Sequence, residues 1–185
     1  MLKHSSYNAA DTAELGQNLA RHIMPGTVII LSGDLGTGKT QLASAIARGL
    51  DITSPVTSPT FAIIKNYPQA TPCHPQGGRI PLNHMDLYRL EDPAQLHDLD
   101  IWDITRPDEP SATLIEWGEL FDDVVGMADL IISISMDEGS NLNYREIELR
   151  PRTECGQTLT CLTGAALAAG TLAAKKSVSE EPVGD

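Results

Sequence analysis

The sequence contains few aromatic and few basic residues. Phe, Trp and Tyr make up 4% of its 185 residues, so a hydrophobic core must be built mainly from Leu, Ile, Val and Ala. These residues are typical of buried parallel strands and of the helices that cover them. Only 13 Lys and Arg accompany 25 Asp and Glu, so the formal net charge is −12, and no basic cluster occurs. Because a chain that binds nucleic acid alone needs cations to displace counterions from phosphates, this composition argues against direct binding of RNA or DNA.

Paired cysteines and long apolar runs are also lacking. The three cysteines, Cys73, Cys155 and Cys161, lack the spacing of a zinc finger, and no paired C-x-x-C supports a metal site made from Cys73, His74 and His84. Residues 1–17 contain no apolar stretch typical of a secretory signal. Residues 156–174 are uncharged but too weakly apolar for a membrane span. We therefore expect a cytoplasmic chain with no membrane segment.

A complete phosphate-binding motif lies at residues 33–40. The letters GDLGTGKT match G-x-x-x-x-G-K-[ST], in which glycines let backbone N–H groups point at phosphate oxygens. Lys39 is expected to reach the β- and γ-phosphates, and the Thr40 hydroxyl is placed for Mg²⁺. The run TVIIL at residues 27–31 predicts a buried strand, and residues 40–50 predict a helix. Strand, glycine-rich loop and helix together predict a P-loop.

The remaining pattern predicts an α/β fold around this unit. Residues 11–22 predict an amphipathic helix capped by Asp11, and residues 93–99 a short helix. Further strands are predicted at residues 61–67, 80–85, 113–116, 130–135 and 144–149. The last two alternate apolar and polar residues, as in an antiparallel hairpin, with the turn at residues 137–143. The predicted fold is a P-loop NTPase-like, three-layer α/β fold with a mostly parallel central sheet and an antiparallel C-terminal hairpin.

Composition divides the chain into two parts. We assign residues 1–152 to a P-loop ATPase domain, which includes an exposed, Pro- and Gly-rich loop at residues 68–79. We expect residues 153–185 to form an alanine-rich C-terminal extension that is partly disordered. Within it, residues 164–174 are either a helix packed on the sheet or a frayed appendage, and residues 175–185 have the composition of a disordered tail.

Three further side chains are candidates for completing the site. Asp86 and Glu116 each follow or end a predicted strand, where a carboxylate is costly to bury unless it is paired or near a metal. Thr60, in the segment Ser58-Pro59-Thr60, lies where a switch threonine could contact the γ-phosphate and metal. The structural alternatives are a turn cap for Asp86, an ion pair for Glu116 and ordinary loop chemistry for Thr60.

The missing motifs favour ATP over GTP. Neither Asn-Lys-x-Asp, which reads guanine, nor a D-x-x-G switch occurs in the sequence. Three functions stay open from these residues: an ATPase, a small-molecule or nucleoside kinase, and a module that binds ATP without hydrolysing it. The arginines are scattered rather than paired as in a kinase lid, which disfavours the second.

Four motifs in this order resemble the TsaE (YjeE) family. They are GDLGTGKT, then TSPTF at residues 57–61, HMDLYRL at residues 84–90 and IEW at residues 115–117, and the resemblance covers roughly residues 10–150. It implies a weak, partner-dependent P-loop ATPase that is required for threonylcarbamoyladenosine modification of tRNA. It also implies that TsaB and TsaD partners perform the transfer, so that tRNA is contacted only indirectly.

The same resemblance implies roles for individual residues. Lys39, Asp86 and Thr60 would be catalytic, and Mg²⁺ would be bound by Thr40 and Glu116. ATP would be bound by Leu35, Gly36, Thr37, Gly38, Lys39, Thr40, Thr12, Trp117 and Arg145. One departure is Asp100, which stands where the family usually has glycine and puts the local turn in question.

Overall fold

A computed structural model describes residues 1–59, 62–68, 79–136 and 142–179, which form one mixed sheet flanked by helices. The strands are β1 (Leu2–Ser6), β2 (Val28–Ser32), β3 (Ile64–Tyr67), β4 (Leu82–Asp86), β5 (Ala112–Glu116), β6 (Leu130–Met136) and β7 (Arg145–Pro151). The α-helices are α1 (Ala9–Ala20), α2 (Lys39–Gly49), α3 (Ile101–Ile104), α4 (Asp122–Met127) and α5 (Glu154–Ser179). Two 3-10 helices, Pro93–Leu99 and Gly118–Leu120, complete the described elements.

The sheet has the strand order β1-β7-β6-β2-β5-β4-β3. Its four central strands, β6, β2, β5 and β4, pair in parallel, whereas β3, β7 and β1 join antiparallel at the two edges. Strands β6 and β7 form the predicted antiparallel hairpin. The predicted fold class is confirmed.

Alternate residues of the central strand β2 face two separate cores. Ile29 and Leu31 belong to the core beneath α1, α2 and the start of α5, while Val28 and Ile30 belong to the core beneath α3 and α4. All four side chains are buried, which explains why this strand appears in the sequence as a continuous apolar run. The helices therefore form a layer on each face of the sheet.

The carboxyl ends of the parallel strands lie along one side of the sheet, and the site lies at this side. Strand β2 runs directly into the glycine-rich loop and α2, while β4 ends at Asp86 and β5 at Glu116. Asp86 and Glu116 are paired in the register of β4 and β5. In open α/β sheets ligands bind beyond the carboxyl ends of the strands, so this is the side at which a site is expected.

Two details of the N-terminal region differ from the sequence predictions. Helix α1 begins at Ala9, and its cap is Asn8 rather than Asp11, because the Asn8 side chain accepts hydrogen bonds from the N–H groups of Ala10 and Asp11. Asp11 instead accepts a hydrogen bond from the Tyr7 N–H across 2.7 Å. Strand β1 was not predicted, since it lies at the sheet edge and only Ser6 in it is buried.

Other boundaries agree to within a few residues. Strand β3 starts at Ile64, and the part of the prediction at Phe61 lies outside the described residues, as do most of the loop 68–79 and residues 137–141 of the predicted hairpin turn. The short helices α3 and α4 were not predicted.

Asp100 lies in a left-handed turn. Its φ of 49° and ψ of 30° place it in the left-handed region between the 3-10 helix Pro93–Leu99 and α3. Glycine adopts this region without steric cost, and Asp is one of the few other residues that visit it. Asp100 therefore adopts this turn at the expense of some backbone strain.

The alanine-rich extension is helical. Leu159 and Thr163 of α5 are buried, and this part of the helix packs against α1 and β7. The helix continues through Ser179, so residues 175–179 are helical although their composition predicted a tail; Ala and Lys are strong helix formers. Residues 180–185 lie outside the described part. Within the described ranges, none of the helices combines the length and the apolar character needed to cross a membrane.

Candidate functional site

The loop after β2 has a backbone that requires glycine. Gly33 has a φ of 135°, and a Cβ atom there would lie 2.2 Å from the carbonyl oxygen of Ile134. Gly38, directly before α2, has a φ of 107°, in the region that L-residues rarely adopt. The loop therefore turns sharply and opens the N-terminal end of α2, where free N–H groups and the helix dipole favour an anion.

Lys39 lies inside this loop. Its side chain donates hydrogen bonds to the carbonyl oxygens of Gly33 at 2.6 Å and Asp34 at 2.8 Å, and the residue is only 5% exposed. The ammonium group also lies 3.9 Å from the centroid of the Trp117 ring. Burial lowers the pKa of Lys39 from its usual value, while the nearby carboxylates, first that of Glu116, act to raise it.

Thr40 and Glu116 meet beside the lysine. The Thr40 Oγ1 donates to Glu116 Oε1 at 2.8 Å and lies 3.0 Å from Oε2, although the two residues are 76 positions apart. Glu116 is 3% exposed, and its Oε1 is also 2.9 Å from the Nε2 of His84. The carboxylate is therefore buried and hydrogen-bonded, as a buried charge must be.

Asp86 lies next to Glu116 in the adjacent strand. Its Oδ2 accepts a hydrogen bond from the Ser58 hydroxyl at 2.7 Å, and its Oδ1 accepts one from the Tyr88 N–H at 3.2 Å. Ser58 belongs to the TSPTF segment, so this hydrogen bond brings the described part of that segment to the end of β4. Both oxygens of Asp86 are thereby oriented.

These groups line one cavity of about 430 Å³. Its walls are formed by Leu35, Gly36, Gly38, Lys39, Thr40, Ser58, Asp86, Tyr88, Glu116 and Trp117. Most of the residues predicted from the sequence are thus brought together. Ser58 and Tyr88 were not among them, although both lie inside motifs that the sequence analysis used, TSPTF and HMDLYRL.

Three of the predicted site residues do not line this cavity. Thr37 is buried in the loop, where its Oγ1 donates to the Asp34 carbonyl at 2.9 Å. Arg145 contacts the same loop from β7, since its Nε donates to the Thr37 carbonyl at 2.8 Å. Thr12 is buried against β1, with its Oγ1 2.7 Å from that of Ser6. Thr60 lies outside the described residues, so its role stays a prediction.

His84 is a site residue whose contact the sequence analysis missed. It was considered only as a metal ligand beside Cys73, whereas the structure places it against Glu116. The period of two in a strand puts His84 on the same face of β4 as Asp86, and this periodicity was the available signal.

The donor set suits Mg²⁺. A threonine hydroxyl and two carboxylates are hard oxygen ligands, and Mg²⁺ usually combines one or two carboxylates with substrate phosphates and waters. Among the residues that the structure describes, no three His, Cys, Asp or Glu side chains form a metal-binding group by themselves. Thr40, Asp86 and Glu116 are therefore the side chains here that could hold such an ion.

Comparison with known proteins identifies the family. The model of the family described as "Threonylcarbamoyl adenosine biosynthesis protein TsaE" matches residues 6–147. The chain belongs to the TsaE family. The TsaE match thus includes the whole cavity and ends before α5.

Individual relatives agree with this assignment. A Nostoc protein named tRNA threonylcarbamoyladenosine biosynthesis protein TsaE is 38% identical over 76% of this chain and 80% of its own length. The Bacillus subtilis protein of the same name is 37% identical over 72% of this chain and 77% of its own length. Among solved structures, Bacillus subtilis YdiB is similar with a TM-score of 0.65 and 28% identity, covering 89% of this chain and 95% of that one.

Proposed function

We propose that this chain binds and hydrolyses ATP as a subunit required for threonylcarbamoyladenosine modification of tRNA. The observation that carries the proposal is the hydrogen bond between Thr40 and the buried Glu116 beside Lys39, at the mouth of a complete P-loop. A hydroxyl at the start of the helix, a carboxylate from a neighbouring strand and a lysine are the parts that phosphoryl transfer uses. The assignment to threonylcarbamoyladenosine modification of tRNA rests on membership of the TsaE family.

Each residue has a distinct role in this proposal. The N–H groups of the loop bind the β- and γ-phosphates, and Lys39 exchanges its two carbonyl partners for phosphate oxygens. Thr40 and Glu116 would hold Mg²⁺, which when bound would neutralise negative charge on the phosphates. Asp86, fixed by Ser58 and Tyr88, orients the attacking water, and Thr60 is the switch threonine that senses the γ-phosphate.

The transfer itself is assigned to partners. We propose that TsaB- and TsaD-like proteins hold the tRNA and perform the chemistry, and that this chain acts on their complex in the cytoplasm. The net charge of −12 supports this division, because a chain without a basic cluster cannot replace the counterions of tRNA by itself. ATP would order the Thr60 segment for docking on the partners, and hydrolysis would release it.

The test has two parts. Phosphate release from ATP is measured for the chain alone and with its partners, without any added acceptor. Release that increases with the partners supports the proposal, whereas transfer to a small molecule would favour a kinase and no release would favour a non-hydrolysing module. Co-purification with the partners is then compared with and without a non-hydrolysable ATP analogue, beside a gel shift of tRNA with this chain alone. The proposed function would be contradicted if partner binding were the same with and without the ATP analogue. Tight tRNA binding by the isolated chain would also contradict it.

A further inference from the structure

A fully buried histidine lies behind the candidate metal site. His84 is 0% exposed, and its Nε2 is 2.9 Å from Glu116 Oε1. It does not line the cavity, so it would not contact the nucleotide. Among the described residues, its hydrogen bond to the site goes to Glu116.

The strand register explains how His84 reaches Glu116. In the parallel pairing of β4 and β5, His84 lies opposite Leu114 and Asp86 lies opposite Glu116. His84 and Asp86 are two positions apart on one strand and share a face, so His84 is the diagonal neighbour of Glu116 on that face. The imidazole therefore approaches the carboxylate along this face of the sheet from the neighbouring strand, while Thr40 approaches from α2.

The second ring nitrogen argues against a purely structural role. His84 Nδ1 is buried and has no hydrogen-bond partner among the described residues. A buried polar atom without a partner is unfavourable, so an apolar side chain would suit this core position better if packing were the only requirement. The single hydrogen bond of the ring goes to a candidate Mg²⁺ ligand, and retaining a polar ring for that contact indicates a role in the site.

We propose that His84 is a positioning residue for Glu116. Its Nε2–H donates to Glu116 Oε1 and restricts rotation of the carboxylate, so that the oxygens stay oriented toward Thr40 and the Mg²⁺ that accompanies the nucleotide. This inference rests on the proposed function. It assigns His84 no contact with ATP and no proton transfer.

The test measures how much Mg²⁺ strengthens ADP binding, by calorimetry in excess Mg²⁺ and in excess EDTA. For His84→Leu we expect this gain to fall about ten-fold, in line with the effect of other groups that orient metal ligands, while the affinity in EDTA stays unchanged. His84→Gln, whose amide can donate from a position similar to that of Nε2, should recover most of the gain. His22→Leu, a histidine outside the cavity, is the matched control and should behave as wild type.

Several outcomes would overturn the inference. A full Mg²⁺ gain in His84→Leu would make His84 a packing residue, and so would equal losses with and without Mg²⁺. In a Glu116→Gln background, His84→Leu should remove nothing further; an additional loss would place its action elsewhere. If His84→Leu does not fold, His84→Asn, which keeps a polar group but is too short to reach Glu116, carries the same comparison. A wild-type chain that binds no Mg²⁺-ADP would refute the proposed function. Failure of the proposed function can be distinguished from failure of the inference about His84, because the wild-type chain is measured before any variant.

Discussion

The Lys39 ammonium group lies 3.9 Å from the centroid of the Trp117 ring while it donates to the Gly33 and Asp34 carbonyl oxygens. Trp117 follows directly after Glu116 and has a φ of 62°, an unfavourable conformation for an aromatic residue. This turn directs the ring over the P-loop instead of along β5. Trp117 thus contributes a cation–π contact to the lysine as well as a wall of the cavity.

Replacing Lys39 should abolish hydrolysis. Lys39→Ala removes the cation that faces the phosphate oxygens, and we expect a loss of about 3 kcal/mol or more of transition-state stabilisation, roughly 100-fold in rate. Phosphate release with the partners present measures it. Lys3→Ala is the control, since Lys3 is exposed and pairs with Glu146 at the sheet edge. Wild-type hydrolysis by Lys39→Ala would refute the P-loop interpretation.

The two carboxylates should matter more for activity than for folding. Glu116→Gln and Asp86→Asn keep the size of each side chain but remove the charge that a metal ion requires. We expect hydrolysis to fall on the order of 100-fold, with unfolding free energies within about 1–2 kcal/mol of wild type. Urea denaturation and phosphate release are compared for each variant and for the exposed control Glu91→Gln. A variant that hydrolyses normally once folded would assign that carboxylate to structure.

Arg145 should support nucleotide binding through the loop backbone. Its guanidinium donates to the carbonyl oxygens of Thr37, Leu142 and Tyr144, so it joins the P-loop to the start of β7. Lysine keeps the charge but cannot reproduce three donors in a plane, and we expect Arg145→Lys to weaken ADP binding about ten-fold.

The control for Arg145 lies on the same strand. Arg150→Lys changes a guanidinium that bonds the Ser133 hydroxyl on an exposed face, and it should leave ADP affinity unaltered. If both variants bind ADP as wild type does, the contact with Thr37 has no functional weight.

Asp100→Gly should stabilise the protein. The left-handed conformation of Asp100 is strained for a residue with a Cβ, and its side chain makes no capping hydrogen bond to α3. We expect the free energy of unfolding to rise by up to about 1 kcal/mol. Asp98→Gly, in the preceding 3-10 helix, should instead lower it, because glycine there only adds flexibility to the unfolded chain. Thermal denaturation of the two variants would reveal the opposite signs, and equal signs would contradict the strain argument.

Thiol labelling should report the packing of α5. Burial raises the pKa of the Cys155 thiol, which lies 3.8 Å from the Thr27 hydroxyl, whereas Cys161 on the same helix is exposed. Because the thiolate is the reactive form, a Cys73→Ser chain should label at Cys161 at least about ten-fold faster than at Cys155 at neutral pH. Peptide mapping after timed alkylation measures both rates. Equal rates would show that the start of α5 does not pack on the domain.

The parts of the molecule that could be predicted from the sequence are those whose signals are local. The P-loop, the buried strand before it and the helix after it are specified by contiguous residues, because glycine geometry and apolar periodicity act over a few positions. The acidic ends of β4 and β5 and the hairpin of β6 and β7 could also be predicted from the sequence, because their signals likewise span only a few positions. The start of α1 shows the limit of such signals, since Asn8 and Asp11 are both capable caps and the structure shows that Asn8 is the one used.

Which of these parts come into contact depends on tertiary packing. His84 and Glu116 are 32 positions apart, Thr40 and Glu116 76, and Thr37 and Arg145 108, and each pair depends on a strand order that does not follow the chain. Local patterns carry no information on that order, because it results from burying both faces of one sheet at the same time. The oxygen ligands, the histidine behind them and the arginine that holds the loop are therefore brought together only when β4, β5 and β7 take their places around β2.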